Sequence, residues 1–216
     1  MPKLKENIFL ILEISLAYMF VFISLPLLII SVFLVLLDQT GSIIFLQDRY
    51  GKDKKIYKIY KFRTMHKLAE MDRPIWGKEF DSRSSKIGNF LRVTHLDEFP
   101  QLFNVIKGEM SLVGPRPERP FFAEKFKSVI PDYERRHMVK PGITGWAQVN
   151  GLRGESCVKE RSLYDNFYVS NCSLILYFKI LILTLFAKPI KHGHAMHHPE
   201  HRNILFLAKI PSLLFS

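Results

Sequence analysis

The chain begins with one long apolar segment. No charged residue occurs from Ile14 to Leu37, and this stretch exceeds the roughly 20 apolar residues that a helix needs to cross a bilayer. A cleaved signal peptide is disfavoured, because the apolar region is too long and no A-x-A-like cleavage site follows it. The pattern therefore predicts a helix that enters a membrane.

A proline near the middle divides this segment into two halves. Pro26 removes a helix hydrogen bond and its ring clashes with the preceding turn, so we predict a break there. Basic residues flank both ends, as expected for two cytoplasmic flanks: Lys3 and Lys5 before it, and a run from Arg49 to Arg63 after it. Each half reaches roughly 17 Å as a helix, which is enough for one leaflet. We therefore favour a re-entrant helix-break-helix; a kinked helix that crosses the membrane is the alternative.

The pattern then changes to that of short strands. Ser42 to Gln47 and Ile56 to Met65 are rich in Ile, Phe and Tyr and are separated by the polar turn DRYGKDKK, which predicts a β-hairpin. Alternation places Lys61 and Arg63 on the same face of the second strand. They are either a paired anion-binding feature or the solubilising charges of an edge strand. Met71 to Lys86 has no periodicity and is predicted to be a loop.

A short helix is predicted in the middle of the chain. Apolar residues recur there at helical spacing: Phe99, Leu102, Phe103 and Ile106. Gly108 marks the end of the helix, and Pro100 is tolerated only in its first turn. The helix must therefore begin close to Asp97, which is a good N-cap residue.

Two features of this region suggest phosphate chemistry. An N-cap position would keep the Asp97 carboxylate ionised and attract a phosphate, although Asp97 and Glu98 also fit an ordinary cap and first-turn acid. Arg116 lies between two prolines, which would hold its guanidinium on a stiff loop suited to bidentate binding of a diphosphate. An arginine in a rigid surface turn is the alternative.

The remaining segments carry weaker signals. Phe121 to Ile130 is predicted to be an amphipathic helix on the membrane surface or on the core, and Ser173 to Ala187 an interfacial or buried helix. Cys157 and Cys172 have no paired spacing and are predicted to be small buried side chains. Five histidines lie within HGHAMHHPEH, which we interpret as a flexible tail or a region of incidental metal affinity.

Length and charge limit the classes of function. A chain of 216 residues suffices for one catalytic domain and a membrane segment, but not for two ordinary domains with separate cores. The net charge of +11 predicts polyanionic partners, namely nucleic acid, anionic lipid or phosphorylated substrates. The sign of the charge does not choose among these.

Three motifs follow the apolar segment in a fixed order: KFRTM, LRVTHLDEFPQLFNVIKGEMSLVGPRPERP and KPGITGWAQVNGLRG. Together they resemble the bacterial sugar transferase family, the monotopic polyprenyl-phosphate phosphoglycosyl transferases, over roughly residues 10 to 179. The resemblance implies an α+β monotopic membrane fold with an N-terminal re-entrant helix-break-helix, a small β-hairpin and several amphipathic helices. We divide the chain accordingly into a membrane helix (1–40), a catalytic domain (41–190) and a C-terminal tail (191–216). The chain is similar to the catalytic part of longer members that carry extra N-terminal membrane helices.

The resemblance also implies roles for individual residues. Asp97 matches the nucleophile and Glu98 its partner, and the family holds Mg²⁺ at this carboxylate pair. The substrate-binding candidates are Lys61, Arg63, Arg92, Arg116, Gln148 and Arg153. The family breaks its membrane helix at a Ser-Pro dipeptide. Here Leu25 precedes Pro26, and the serine lies one place earlier, at Ser24.

The implied reaction moves a sugar-1-phosphate from a UDP-sugar to polyprenyl (undecaprenyl) phosphate and releases UMP through a covalent aspartyl intermediate. It would be the first membrane step of a bacterial glycoconjugate pathway, for an exopolysaccharide, capsule, O-antigen or glycoprotein glycan. The expected location is the cytoplasmic (inner) membrane, with the catalytic domain on the cytoplasmic face. No nucleic-acid partner is expected, and downstream glycosyltransferases are candidate partners. The rivals are a membrane-tethered module that binds anionic lipid or nucleic acid without catalysis, and a hydrolase of lipid diphosphates.

Overall fold

A computed structural model describes residues 3–38, 41–66, 81–153 and 156–186 of the chain. Most of the predicted loop from Met71 to Lys86 and the whole histidine-rich tail lie outside the described residues. The end of the predicted loop is described. It is irregular up to Ser85, and a helix begins at Lys86.

The apolar segment forms one long helix, α1, from Lys3 to Asp38. Its part from Ile8 to Asp38 is long and apolar enough to cross a membrane. The helix continues through Pro26, where the sequence predicts a break between two helices, and the re-entrant path stays a prediction. Ser24 Oγ donates a hydrogen bond to Val21 O at 3.3 Å, whereas the carbonyl that Pro26 leaves free is that of Phe22, four residues earlier.

Helix α1 packs against the rest of the molecule along its length. Ala17 belongs to a core cluster that includes Tyr177, while Leu28 and Val35 pack with Phe62 and Leu91 in a second cluster. Most other large side chains of the helix are exposed, including Ile11, Phe22, Ile29, Phe33 and Leu37. One face of α1 therefore contacts the domain, and the other presents an apolar surface of the kind that a bilayer covers.

The predicted hairpin is confirmed. Strand β1 runs from Ile44 to Tyr50 and strand β2 from Ile56 to Phe62, with a 3₁₀ turn at Lys52–Lys54 between them. The strands are antiparallel, and Phe45 lies opposite Lys61. Strand β1 thus extends three residues into the turn predicted from the sequence, because the reversal occurs only around Gly51 and Asp53.

The rest of the domain consists of short helices around a small parallel strand pair. The helices are α2 (Lys86–Val93), α3 (Gln101–Ile106), α4 (Pro120–Lys127), α5 (Trp146–Val149), α6 (Val158–Ser170) and α7 (Leu174–Phe186). Two further 3₁₀ turns span Leu96–Glu98 and Tyr133–Met138, and strands β3 (Ser111–Val113) and β4 (Gly142–Thr144) pair in parallel. The structure confirms the helices predicted around Phe103, Phe122 and Ile180, and Gly108 has the expected positive φ of 77°.

Close backbone contact between β3 and β4 fixes the loop that carries Arg116. Gly114 N donates to Thr144 O at 2.8 Å, and Gly142 N donates to Pro115 O at 2.9 Å. A Cβ on Gly142 would lie 2.0 Å from Gly114 N, so only glycine fits there. The loop therefore leaves β3 along a narrowly defined path.

Side-chain burial bears on the predictions for helix α7 and for the two cysteines. Helix α7 buries Tyr177 and Ile180 but exposes most of its other apolar side chains, so it is neither a core helix nor fully exposed. Cys157 and Cys172 are both free and exposed, which contradicts the predicted burial. The reason is their position at the solvent-facing ends of α6, where Cys157 precedes the first turn and Cys172 follows the last.

Candidate active site

The carboxylate pair lies on a tight turn between α2 and α3. His95 has a left-handed backbone (φ 58°) and precedes the 3₁₀ turn Leu96–Glu98, which places Asp97 in the interior with 7% of its surface exposed. The N-cap of α3 is Pro100. The prediction that Asp97 caps this helix is therefore wrong, because the chain reverses at His95 and begins its first turn before Asp97 is reached.

Glu98 is held by two cations that come from distant parts of the chain. Lys61 Nζ on β2 donates to Glu98 Oε1 at 2.7 Å. Arg116 binds both oxygens of the same carboxylate, with Nη2 at 2.6 Å from Oε1 and Nη1 at 3.2 Å from Oε2. Such bidentate, charge-assisted contacts fix orientation as well as charge. Glu98 therefore brings the strand cation and the loop arginine together.

Asp97 has the opposite environment. No described residue donates a hydrogen bond to its carboxylate, although the positive charges of Lys61, Arg92 and Arg116 lie close enough to affect its ionisation. Burial is the largest effect and, together with the charge of Glu98, raises the pKa of Asp97 above its usual value despite those cations. The lone pairs of Asp97 therefore remain available to an incoming group.

The ionisation of Glu98 is shifted the other way. Burial opposes its charge, but Arg116 and Lys61 outweigh that effect and hold the pKa of Glu98 well below its usual value. Glu98 in turn raises the pKa of Arg116. The pair thus consists of Glu98, whose lowered pKa favours the charged form and which orients the cations, and the more basic Asp97, which accepts no hydrogen bond from the described residues.

Two of the predicted substrate-binding residues lie at the edge of this cluster. Arg153 Nε donates to Gln148 O at 3.1 Å, and its Nη1 lies 3.4 Å from His95 Nε2. Gln148 is buried and donates from Nε2 to Ile143 O at 3.2 Å, while its Oε1 has no partner among the described residues. His95, which the sequence analysis did not single out, thus connects Arg153 to the carboxylate turn.

Arg63 does not join the cluster. It lies just beyond the end of β2, donates from Nε to Ser42 O at 3.0 Å and stacks over the ring of Phe45. Alternation places Arg63 near Lys61 on the sheet, but the strand ends at Phe62, so the arginine turns back toward the start of β1. The structure therefore gives Arg63 a contact within the hairpin and no contact with the carboxylate pair.

A buried ionic network supports the loop that carries Arg116. Arg136 donates from Nη2 to Arg116 O at 2.9 Å and forms an ion pair with Asp165 at 2.8 Å. Arg161 lies 3.4 Å from Glu118, at the end of the loop. Sequence reasoning missed this network, although the acidic residue directly after Pro-Arg-Pro was a signal. The network therefore holds the loop through the Arg116 carbonyl and Glu118.

The donor set of the carboxylate pair fits Mg²⁺. Magnesium prefers oxygen ligands and is commonly held by one or two carboxylates together with substrate phosphates. Within the described ranges, neither oxygen of Asp97 accepts a hydrogen bond, and Glu98 Oε2 accepts one, from Arg116. No group of three His, Cys, Asp or Glu side chains suited to a metal occurs among the described residues. A metal here would therefore rely on the substrate for further ligands.

Fold and site together define a class of protein. It is a membrane-associated α+β protein in which a buried Asp-Glu pair is surrounded by Lys61, Arg92 and Arg116, an arrangement suited to phosphorylated substrates. Residues 5–189 match the family model described as bacterial sugar transferase. The chain belongs to this family.

Curated relatives with stated activities are similar to most of the chain. It is 46% identical over 165 residues to the UDP-glucose:undecaprenyl-phosphate glucose-1-phosphate transferase of Klebsiella pneumoniae, covering 74% of this chain and 36% of that protein. It is 44% identical to the transferase of the same name in Escherichia coli (strain K12), covering 81% and 38%. The UDP-N-acetylgalactosamine-undecaprenyl-phosphate N-acetylgalactosaminephosphotransferase of Aeromonas hydrophila is 40% identical, covering 74% and 38%. The chain thus spans less than half of the length of these relatives.

Proposed function

We propose that this protein transfers a sugar-1-phosphate from a UDP-sugar to polyprenyl phosphate, which in a bacterium is undecaprenyl phosphate. The products are a polyprenyl-diphosphate sugar and UMP. The observation that carries the proposal is the difference between the two carboxylates, because Glu98 is bound by Lys61 and Arg116 whereas Asp97 accepts no hydrogen bond from any described residue. The reactions named for the similar transferases support the choice of substrates.

Asp97 is the nucleophile of the first step. An oxygen of its ionised carboxylate attacks the phosphorus that bears the sugar, and the bond from that phosphorus to the bridging oxygen breaks. UMP leaves with the bonding electron pair, and the sugar phosphate stays on Asp97 as an acyl phosphate. Burial suits this role, since a carboxylate with a raised pKa is more basic and carries less hydration than an exposed one.

The cations bind the diphosphate and offset its developing charge. Phosphoryl transfer depends mainly on positioning and electrostatics. Arg116 and Lys61 are already oriented by Glu98, and Arg92 adds a third positive charge near Asp97. Asp97 and Glu98 would hold Mg²⁺, which when bound supplies further positive charge to the phosphate oxygens. Arg153 and Gln148 would contact the donor at the edge of the site.

The second step returns Asp97 to its starting state. An oxygen of polyprenyl phosphate attacks the phosphorus of the acyl phosphate, and the bond from that phosphorus to the Asp97 oxygen breaks. The lipid must reach the site from the membrane, so the site has to lie near the interface. Contact of both halves of α1 with one domain supports such a shallow, monotopic placement. We place the protein in the cytoplasmic membrane with this domain on the cytoplasmic face, at the first membrane step of a glycoconjugate pathway.

The proposal is tested by incubating the purified full-length protein with a panel of UDP-sugars, Mg²⁺ and polyprenyl phosphate. We expect UMP and a glycolipid with at least one donor, and neither product from the Asp97→Asn variant. Asp48→Asn is the matched control, because Asp48 is an exposed acid on β1. UMP formed together with free sugar phosphate in the absence of lipid would instead indicate a hydrolase, and the absence of UMP with every donor would contradict the proposal.

A further inference from the structure

Two carboxylates, Glu13 and Asp38, border the uncharged part of α1 and are bonded to the catalytic domain. Glu13 is 3% exposed, and its Oε1 accepts three hydrogen bonds: from Tyr177 Oη at 2.8 Å, from Leu112 N at 3.1 Å and from Ser111 Oγ. Asp38, the last residue of the helix, accepts a bond from Ser85 Oγ at 2.5 Å. Along the helix axis, Glu13 precedes Pro26 by about 20 Å, and Asp38 follows Pro26 by about 18 Å.

Each carboxylate is bonded to an element that carries an arginine of the site. Ser111 and Leu112 lie on β3, which leads directly into the loop with Arg116. Ser85 is the N-cap of α2 and also accepts a hydrogen bond from Gly88 N at 2.8 Å, and α2 carries Arg92. The ends of the apolar part of the helix are therefore fixed to the two elements that flank Asp97.

The hydrogen bonds of Glu13 and Asp38 hold α1 at one position along the domain. A carboxylate on an apolar helix is costly unless it is paired, and those inside membranes commonly mark functional sites. The other contacts of α1, such as those of Ala17, Leu28 and Val35, are apolar. Apolar contacts have no preferred direction, so they do not fix the position of the helix along the domain. The three donors on Glu13 come from β3 and α7, so this bond is lost if the helix slides along the domain.

We propose that Glu13 and Asp38 are positioning residues. They fix the position of α1 along the domain, and therefore the depth of Asp97 relative to the bilayer, so that the phosphate of the lipid acceptor meets the acyl phosphate. This inference rests on the proposed function. The donor side depends less on these anchors, because Arg116 is also held by Glu98 and by Arg136, and α2 is also held by the buried Leu91. Loss of the hydrogen bonds of Glu13 or Asp38 should therefore impair attack by the lipid phosphate more than it impairs release of UMP.

A comparison of the two half-reactions tests the proposal in full-length protein in lipid nanodiscs. For Glu13→Leu we expect the KM for polyprenyl phosphate to rise about tenfold or more, the factor typical of losing a charge-assisted hydrogen bond. The burst of UMP in the absence of polyprenyl phosphate should stay within about twofold of wild type. Asp38→Leu should behave likewise, and Glu13→Gln should restore most of the KM, since its side-chain oxygen still accepts the same bonds.

The control is Tyr18→Phe, because Tyr18 lies on the exposed face of α1. An unchanged KM for the lipid in Glu13→Leu would overturn the proposal. An equal loss in the burst and in the lipid step would also overturn it, because the effect would then be general damage to the fold.

A depth measurement tests the anchors without catalysis. A spin label is attached at Phe22→Cys, an exposed position near Pro26, after the exposed native cysteines have been replaced by serine. Power saturation with oxygen and a nickel chelate reports the depth of the label in the bilayer. We expect Glu13→Leu to shift this depth and Glu13→Gln to leave it near the wild-type value. An unchanged depth in Glu13→Leu overturns the inference, whereas a wild-type protein that releases no UMP contradicts only the proposed function.

Discussion

Two clusters of buried charge contact the Arg116 loop, and they differ in how their carboxylates are paired. In the first cluster, Arg136 pairs with Asp165 and Arg161 lies beside Glu118. At the site, Glu98 is paired twice whereas Asp97 accepts no hydrogen bond from any described residue. The difference indicates that the first cluster holds the structure in place, while the second keeps one carboxylate ready to react.

The largest effect expected is on turnover. Asp97→Asn removes the nucleophile while preserving shape, so turnover should fall by about 10³-fold or more. Because Asp97 accepts no hydrogen bond from the described part of the chain, the thermal unfolding midpoint should stay near or slightly above that of wild type. Steady-state UMP release and a thermal melt measure the two quantities. Turnover close to that of wild type would show that the unpaired carboxylate is not the reacting group.

A mutation in the cluster that contains Arg136 and Asp165 should instead lower the stability of the protein. Arg136→Met leaves Asp165 buried without its partner, which typically costs about 3–5 kcal/mol of the free energy of unfolding. The matched control is Arg135→Met, because the neighbouring Arg135 is exposed and its side chain contacts Ser170 at the surface. Chemical denaturation in detergent compares the two variants. Equal stability in both would remove the distinction drawn between the clusters.

A smaller effect should distinguish two lysines of the same strand. Lys61→Gln loses the ion pair with Glu98, and kcat/KM for the donor should fall by about 10- to 100-fold, as is typical for a partly buried charge-assisted bond. Lys58→Gln loses only an exposed pair with Asp48, and its kcat/KM should stay within about twofold. Initial rates at low donor concentration give both values. A similar loss in the two variants would point to general charge attraction.

The smallest expected effect is a shift in pH dependence. Asp97 must be ionised to attack, and its pKa is raised by burial, so kcat/KM should decline as the pH falls through a range above that of an ordinary aspartate, about 3.9. Glu98 does not contribute to this decline, because its pKa is lowered. A pH series with wild type and Asp48→Asn measures it. A profile that stays flat down to the ordinary range would contradict the burial effect.

The parts of the fold that sequence predicts best are those with a clear apolar period. The apolar helix, the hairpin and the helix around Phe103 were predicted for that reason. Helix α6 was missed because its inward positions include Arg161, Ser162 and Asp165, so it has no apolar stripe. Helix α2 was missed because it buries only Gly88 and Leu91, although Ser85 was a usable N-cap signal.

The site was predictable in its residues but not in its arrangement. The residue pattern suggested Asp97 and Arg116 and the resemblance assigned roles to Asp97, Glu98 and Arg116, yet no spacing shows that Lys61 reaches Glu98 across 37 positions of the chain. The same limit applies to Arg63, because alternation along a strand does not tell that the strand ends at Phe62 and that Arg63 contacts Ser42. The unpaired state of Asp97 depends on the turn at His95, which a propensity argument does not predict.

In the proposed first step, Asp97 becomes covalently bonded to a sugar phosphate as an acyl phosphate. Intact-mass analysis of the purified protein after a brief incubation with a UDP-sugar and Mg²⁺, without lipid, tests it most directly. We predict a mass increase equal to one phosphosugar in the wild type, lost on addition of polyprenyl phosphate and absent in Asp97→Asn. A wild-type protein that transfers the sugar yet never gains this mass, or an adduct that persists in Asp97→Asn, would contradict the account.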